Sequence, residues 1–163
     1  MITLVLGGAR SGKSAVAEAL AARLGDDVTY VATGAAADDP DMGARIAAHQ
    51  ARRPATWSTV EAGADLADVL RSLPGPVLLD ALGTWVAGAE GFAVDGGELC
   101  AALRTRQGVT VVVSEEVGLG VHPSTEVGRR FRDALGTLNQ AVAAIADDVL
   151  FVVAGRVLPL ERP

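Results

Sequence analysis

Residues 7–14 read Gly7-Gly8-Ala9-Arg10-Ser11-Gly12-Lys13-Ser14 and match G-x-x-x-x-G-K-[ST], the phosphate-loop pattern. An apolar run at 2–6 precedes the stretch and a helix-forming run at 15–20 follows it, so strand, loop and helix come in the order that the pattern requires. Glycine lets backbone N–H groups approach a phosphate closely, Lys13 can reach the β- and γ-phosphates, and Ser14 can ligate Mg²⁺. The stretch therefore predicts that the chain binds a nucleoside triphosphate.

Lysine usage supports this interpretation. The chain has thirteen arginines and a single lysine, Lys13. An ammonium group is a compact point charge, whereas a guanidinium group is a planar fork. The only lysine thus stands at the position where a point charge has to enter a phosphate cradle.

Length and composition narrow the class of protein. The 163 residues fit one domain, 1–163, and the lone Cys100 cannot form an intrachain disulfide. With no signal peptide and no apolar run near membrane-spanning length, we expect a soluble cytoplasmic protein. The net charge of −6 argues against nucleic acid as a partner, and no Cys/His cluster has the spacing of a zinc site.

Strand and helix patterns alternate along the chain. Strands are predicted at 2–6, 28–32, 57–61, 77–80, 109–113 and 149–153, with an edge strand at 156–160. Helices are predicted at 13–24, 64–73 and 98–106, and a long one follows Ser124 as its cap; residues 83–97 are assigned to a helix-turn or loop. The long helix should bury one stripe of residues, namely Val127, Phe131, Leu135, Leu138, Val142 and Ile145. This alternation predicts an α/β fold with a mostly parallel sheet covered by helices on both faces.

A helix predicted between residues 40 and 53 carries a second group of polar side chains. Arg45, His49 and Arg53 recur at four-residue spacing, with Arg52 beside them, so they share one face. One interpretation is a solvated face with an incidental histidine. In the other, the arginines clamp phosphates while His49 acts as nucleophile or general base.

Two strand ends add candidates for the ligand crevice. The strand at 77–80 ends in Asp80, an arrangement by which an aspartate holds Mg²⁺ against a phosphate loop, although Asp80 could instead cap the next segment. Thr33, Gly34 and Ala35 follow the strand at 28–32, and carboxyl ends of parallel strands face the crevice. His122 lies in a predicted loop, where packing or solvation is expected rather than catalysis.

Taken together, these motifs resemble those of the bifunctional adenosylcobinamide kinase / adenosylcobinamide-phosphate guanylyltransferase family of cobalamin biosynthesis. The resemblance spans nearly the whole chain in order. It rests on the phosphate loop, Tyr-Val-Ala-Thr at 30–33, residues 42–50 with Arg45-Ile46 and His49, Arg53-Pro54 followed by Trp57 and Glu61, Glu-Val-Gly-Leu-Gly at 116–120, Phe131-Arg132-Asp133, and Asn139-Gln140.

The resemblance implies a RecA-like P-loop NTPase fold, a homotrimer, and two reactions that use GTP, ATP and Mg²⁺. First, adenosylcobinamide is phosphorylated by a nucleoside triphosphate; second, GMP from GTP is transferred through a guanylylated histidine, here His49, to give adenosylcobinamide-GDP. The catalytic residues would be His49, Lys13 and Asp80, and the metal ligands Ser14 and Asp80. Nucleotide contacts would come from Gly7, Gly8, Ala9, Arg10, Ser11, Gly12, Lys13, Ser14, Thr33, Gly34, Ala35, Gln50, Ala51, Arg52, Arg53, Glu61 and Asp80.

The chain departs from the family pattern at Glu115, where asparagine is usual, and at Ala81, where cysteine is common. Glu115 adds a carboxylate near the crevice, which could weaken triphosphate binding or alter Mg²⁺ placement. Two other functions remain open alternatives. One is a P-loop kinase of another small metabolite with a single activity, and the other is a nucleotide-binding regulatory subunit.

Overall fold

The computed structural model describes residues 1–34 and 54–162, and its centre is a seven-stranded sheet. The strands are β1 (Ile2–Gly7), β2 (Thr29–Ala32), β3 (Ser58–Glu61), β4 (Val77–Asp80), β5 (Thr110–Glu115), β6 (Asp148–Val153) and β7 (Arg156–Pro159). Their order across the sheet is β3-β2-β4-β5-β1-β6-β7. The first six are parallel and β7 pairs with β6 in the antiparallel sense, as expected for an edge strand that contains proline.

Helices cover both faces of this sheet. They are α1 (Lys13–Ala21), α2 (Leu66–Ser72), α3 (Leu82–Gly88), α4 (Gly96–Thr105) and α5 (Glu126–Ile145), with a 3-10 turn at Glu90–Phe92. Helix α1 shares a buried cluster with one face of the sheet, and helices α2 to α5 share a second cluster with the other face. All six residues of β1 are buried, as expected for its largely apolar sequence in the middle of a parallel sheet. The predicted mostly parallel α/β fold is confirmed.

The segment 83–97, predicted as helix-turn or loop, is more helical than its sequence suggests. Helix α3 begins at Leu82, and Leu82, Trp85 and Val86 are buried. Helix α4 begins at Gly96, where the Asp95 carboxylate accepts a hydrogen bond from the Glu98 N–H at 2.8 Å. Burial of apolar side chains and an aspartate cap thus outweigh the helix-weakening effect of the glycines.

Helix α5 differs from the prediction at its first turn. Its cap is Thr125 and not Ser124: the Thr125 hydroxyl accepts a hydrogen bond from the Gly128 N–H at 3.1 Å. Val127 was assigned to the buried stripe and is 62% exposed, because the helix reaches the core only after its first turn. Leu135, Leu138 and Val142 are buried as predicted.

Arg106 organises the amino edge of the sheet. Its guanidinium donates to the carbonyl oxygens of Leu73, Gly75 and Val109 and, at 2.6 Å, to the Thr110 hydroxyl. Burial lowers the pKa of Arg106 from its ordinary value. This side chain ties the loop before β4 to the start of β5, at the edge opposite the phosphate loop.

The outcome for α5 can be tested with two substitutions in the same helix. Leu135→Ala, at a fully buried position, should lower the free energy of unfolding by about 2–5 kcal/mol because it leaves a cavity. Val127→Ala should change it by less than about 0.5 kcal/mol, since the side chain is exposed. Urea denaturation followed by circular dichroism measures both; equal losses would contradict the assignment of Val127 to the surface.

Cys100 offers a test by chemical modification. It is partly buried on α4, and burial raises the pKa of its thiol while nearby Arg104 opposes the shift to a smaller extent. Because only the thiolate reacts, alkylation by iodoacetamide at pH 8 should be about fivefold or more slower in the folded chain than in urea. Stability should also fall as the pH rises above the unfolded thiol's pKa, where the folded state alone keeps the proton. Equal alkylation rates in the two states would contradict this.

Candidate active site

The phosphate loop connects β1 to α1 at the carboxyl edge of the sheet. Gly12 precedes the helix with a φ of +93°, a conformation that L side chains rarely adopt, and a Cβ there would lie 3.2 Å from the Gly155 Cα. The Gly155 N–H donates to the Ser11 carbonyl at 2.8 Å. The turn between β6 and β7 therefore supports the loop from behind, a contact that the sequence did not indicate.

Lys13 is buried, and its ammonium already has an anionic neighbour. Nζ lies 3.5 Å from Oε1 of Glu115 and donates to the Gly8 carbonyl at 3.4 Å. The side chains of Lys13 and Glu115 are 9% and 28% exposed. Glu115 reaches Lys13 because β5 lies beside β1 and Glu115 pairs in register with Gly7. A carboxylate therefore holds the ammonium that the sequence pattern assigns to phosphates.

Glu115 also contacts the start of α3. Its second oxygen, Oε2, accepts a hydrogen bond from the Gly83 N–H at 3.0 Å. A Cβ at residue 83 would overlap this carboxylate, so the close approach requires glycine. The glycine that weakened the helix prediction thus has a packing reason, which only the contact with Glu115 reveals.

Asp80 lies at the end of β4, two strands from β1. The Tyr30 hydroxyl donates to its Oδ2 at 2.6 Å. Within the described ranges, the other oxygen, Oδ1, has no hydrogen-bond partner. Asp80 is half-buried, so its carboxylate is held on one side and accessible to a ligand on the other.

The Thr33 side chain is buried and contacts backbone, whereas a side chain that binds nucleotide directly is expected to be accessible. Thr33 is 6% exposed, and its hydroxyl donates to the Ala81 carbonyl at 2.5 Å and accepts from the Ala81 N–H at 3.1 Å. The Thr84 hydroxyl lies 2.7 Å away. The peptide bond between Asp80 and Ala81 is cis. In this structure the Thr33 side chain therefore anchors the backbone next to Asp80.

Glu61 lies at the far end of the same edge. Four strand spacings of about 4.8 Å separate β3 from β1, so Glu61 is about 19 Å from the phosphate loop along the sheet. It borders a cavity of about 430 Å³ that is also lined by Thr33, Gly34 and Trp85, whose indole N–H donates to the Gly63 carbonyl at 2.9 Å. The edge therefore carries a recess between β2, β3 and α3, apart from the phosphate loop.

The phosphate loop and Asp80 lie at the same edge of the sheet, two strands apart, and Thr33, Gly34 and Glu61 lie farther along that edge. The second cluster of candidates lies outside the described residues: Ala35, Arg45, His49, Gln50, Ala51, Arg52 and Arg53. Sequence reasoning did not single out Tyr30 as a contact of Asp80 or Thr84 as a contact of Thr33. Strand register creates the first contact, and the position of helix α3, which carries Thr84, creates the second. Neither is visible in a periodicity pattern.

The donor set is suited to a magnesium ion that is shared with a nucleotide. Ser14 offers a hydroxyl and Asp80 a carboxylate oxygen, and Mg²⁺ in such sites takes few protein ligands besides substrate phosphates and water. No group of three or more His, Cys, Asp or Glu side chains that could hold a metal occurs in the described part of the chain. No described helix has the length and apolar character to cross a membrane.

A parallel α/β sheet with a complete phosphate loop and an aspartate two strands away defines a P-loop nucleotide-binding protein. An ATPase from the type III secretion system of pathogenic bacteria shares this fold, with a TM-score of 0.55 over 92% of this chain, 50% of that chain, and 12% identity. At this identity the likeness concerns the fold alone.

The comparison of sequences is more specific. Residues 3–160 match the family described as CobU: Cobinamide kinase / cobinamide phosphate guanyltransferase. The chain is 45% identical to the bifunctional adenosylcobalamin biosynthesis protein CobP of Pseudomonas aeruginosa, over 99% of this chain and 98% of that protein. It is 39% identical to the bifunctional adenosylcobalamin biosynthesis protein CobU of Salmonella typhimurium, over 95% of this chain and 97% of that protein. The chain belongs to the cobinamide kinase / cobinamide phosphate guanyltransferase family, an enzyme family with nucleotide substrates.

The contact between Lys13 and Glu115 leads to a prediction about nucleotide affinity. Glu115→Gln should tighten binding of Mg²⁺-GTP about fivefold, because a partly exposed ion pair of about 1 kcal/mol no longer competes with phosphate for the ammonium. Titration calorimetry measures the change. Glu116→Gln is the matched control, since Glu116 accepts a hydrogen bond from the Gly118 N–H and should leave the affinity unchanged. Weaker binding by Glu115→Gln would show that the carboxylate assists the nucleotide.

Proposed function

We propose that this chain phosphorylates adenosylcobinamide with a nucleoside triphosphate and then transfers GMP from GTP, through a guanylylated His49, to adenosylcobinamide phosphate. The product is adenosylcobinamide-GDP. The observation that carries the proposal is the buried Lys13 ammonium at the carboxyl edge of the sheet, in a chain that matches this family from residue 3 to residue 160. Both reactions require a positively charged site that holds the phosphates of a nucleoside triphosphate.

In the kinase step, we assign the triphosphate to residues 7–14. Backbone N–H groups of the loop and the positive end of α1 favour its negative charge, and Lys13 leaves Glu115 for the phosphate oxygens. The alcohol of the substrate attacks the γ-phosphorus, the bond to the β,γ-bridging oxygen breaks, and the nucleoside diphosphate leaves.

In the guanylyl step, we assign the nucleophile to His49. An imidazole nitrogen attacks the α-phosphorus of GTP, the bond to the α,β-bridging oxygen breaks, and pyrophosphate leaves. An oxygen of the substrate phosphate then attacks the same phosphorus and the P–N bond breaks, which regenerates the imidazole. We assign Lys13 and Arg45, Arg52 and Arg53 to the charge on the α-phosphate and the leaving pyrophosphate.

The remaining nucleotide contacts in the proposal are Thr33 to Ala35, Gln50 to Arg53, and Glu61 for the guanine or ribose. Ser14 and Asp80 would hold Mg²⁺, which, when bound, neutralises developing charge on the phosphates. Because the buried Thr33 hydroxyl bonds to the backbone of Ala81, we assign it an indirect contribution: it holds the backbone beside Asp80. We further propose that residues 1–163 form one domain, that three chains assemble as a homotrimer, and that the enzyme works in the cytoplasm.

Labelled GTP tests the proposal. Label from the α-phosphate, but not from the γ-phosphate, should remain on the protein in acid-labile, alkali-stable form, because a phosphoramidate has this stability pattern. His49→Ala should abolish this label and spare phosphorylation of adenosylcobinamide. Lys13→Ala should abolish both reactions.

Other outcomes point to the alternative functions. Phosphorylation of another metabolite without covalent label would identify a kinase with a single activity. Nucleotide binding without either reaction would identify a regulatory subunit. Equal loss of both reactions in His49→Ala would mean that the histidine is structural or shared by the two steps.

A further inference from the structure

Tyr30 lies next to Asp80 and forms a hydrogen bond with its carboxylate. It is the only tyrosine in the chain and is 6% exposed. In the register of β2 and β4, Tyr30 pairs with Leu78 and Ala32 pairs with Asp80, so Tyr30 and Asp80 are diagonal neighbours on one face of the sheet. A long aromatic side chain can span this diagonal, and the hydroxyl donates to Oδ2 of Asp80 at 2.6 Å.

This hydrogen bond restricts the carboxylate. An aspartate at the end of a strand can rotate about two side-chain bonds, and a strong donor on one oxygen limits this freedom. Because Tyr30 is packed with Val28 and Leu78 in the core beneath α1, its hydroxyl is itself held in position. Oδ1 is thereby left in a defined direction, free of hydrogen bonds within residues 1–34 and 54–162.

We infer that Tyr30 is a positioning residue, whose hydroxyl orients Asp80 so that Oδ1 is presented to the Mg²⁺ of the bound nucleotide. The inference rests on the role of Asp80 in the proposed function. If the hydroxyl merely satisfied its own hydrogen-bonding need in the core, its removal would change stability and leave metal affinity unaltered. Metal affinity therefore separates positioning from a structural role.

The test uses Tyr30→Phe, which keeps the ring and removes only the hydroxyl. Mn²⁺, detected by electron paramagnetic resonance, serves as the probe for Mg²⁺ in the complex with guanosine 5′-(β,γ-imido)triphosphate. Mn²⁺ should bind the nucleotide complex of Tyr30→Phe about five- to tenfold more weakly than that of the wild-type chain. This is the effect expected for loss of one hydrogen bond to a charged ligand group. Nucleotide binding in EDTA should be unchanged. In the kinase reaction, kcat at limiting Mg²⁺ should fall and recover at high Mg²⁺.

Thr29→Val is the matched control. It removes a hydroxyl from the same strand, one that contacts the Ser58 hydroxyl at 3.1 Å and not Asp80, and it should leave Mn²⁺ affinity unchanged. Asp80→Asn should weaken Mn²⁺ binding at least as much as Tyr30→Phe. Normal Mn²⁺ affinity in Asp80→Asn would overturn the metal role of Asp80 and the inference with it.

Weak Mn²⁺ binding in Asp80→Asn with normal binding in Tyr30→Phe would overturn the positioning role alone and leave the proposed function standing. If Tyr30→Phe weakened nucleotide binding in EDTA as much as it weakened Mn²⁺ binding, Tyr30 would have a structural role only. Should Tyr30→Phe fail to fold, carbon-13 labelling at Cζ of the wild-type chain gives one tyrosine resonance. This resonance should shift when Mg²⁺ is added to the nucleotide complex and should not shift in Asp80→Asn; an unmoved wild-type resonance would overturn the inference.

Discussion

Burial of one ammonium group, that of Lys13, governs how the carboxyl edge of the sheet is built. A buried charge without a partner is costly, and the neighbouring strand supplies the partner because Glu115 stands level with Gly7 in the register of β5 and β1. The second oxygen of Glu115 then takes the N–H of Gly83, where a larger residue has no room. The loop, the end of β5 and the start of α3 are therefore linked through a single carboxylate.

The opposite edge uses the other kind of cation. Arg106 is as buried as Lys13, yet its planar guanidinium contacts three backbone carbonyls and a hydroxyl around one loop. A fork of several donors suits that structural task, whereas a single compact charge suits the phosphate site proposed for Lys13. The two edges of the sheet thus use different buried cations: an arginine that binds backbone at the amino edge, and the only lysine of the chain at the phosphate loop.

At the carboxyl edge, β2 also supports β4. Tyr30 holds the carboxylate of Asp80 and Thr33 holds both backbone groups of Ala81, so the end of β4 is fixed from one side by side chains of its neighbour. Glu61 lies beyond β2, about four strand spacings from the phosphate loop, and the cavity beside Trp85 extends from the end of β2 to Glu61. The described candidates for the two transfer reactions are therefore spread along the edge from β1 to β3.

Much of this architecture could be predicted from local sequence. The phosphate loop, the alternation of strands and helices, the parallel sheet and the strand that ends in Asp80 depend on short-range patterns of apolar residues, glycines and caps. Predictions failed where a local preference competed with a distant contact. Val127 followed the periodicity of a buried stripe, although its helix turn projects beyond the core. For 83–97 the prediction of helix-turn or loop left the choice open, and the structure shows most of α3, a 3-10 turn and the start of α4 there.

The amino-acid sequence by itself predicted a triphosphate site at residues 7–14 and the enzyme family to which the chain belongs, because both depend on contiguous motifs. Only the tertiary structure decided that Glu115 faces Lys13, that Tyr30 holds Asp80, and that Thr33 is buried against Ala81. These contacts join residues that are far apart in the sequence. They depend on strand order and register and on where the segments after the strands are placed, which long-range packing sets.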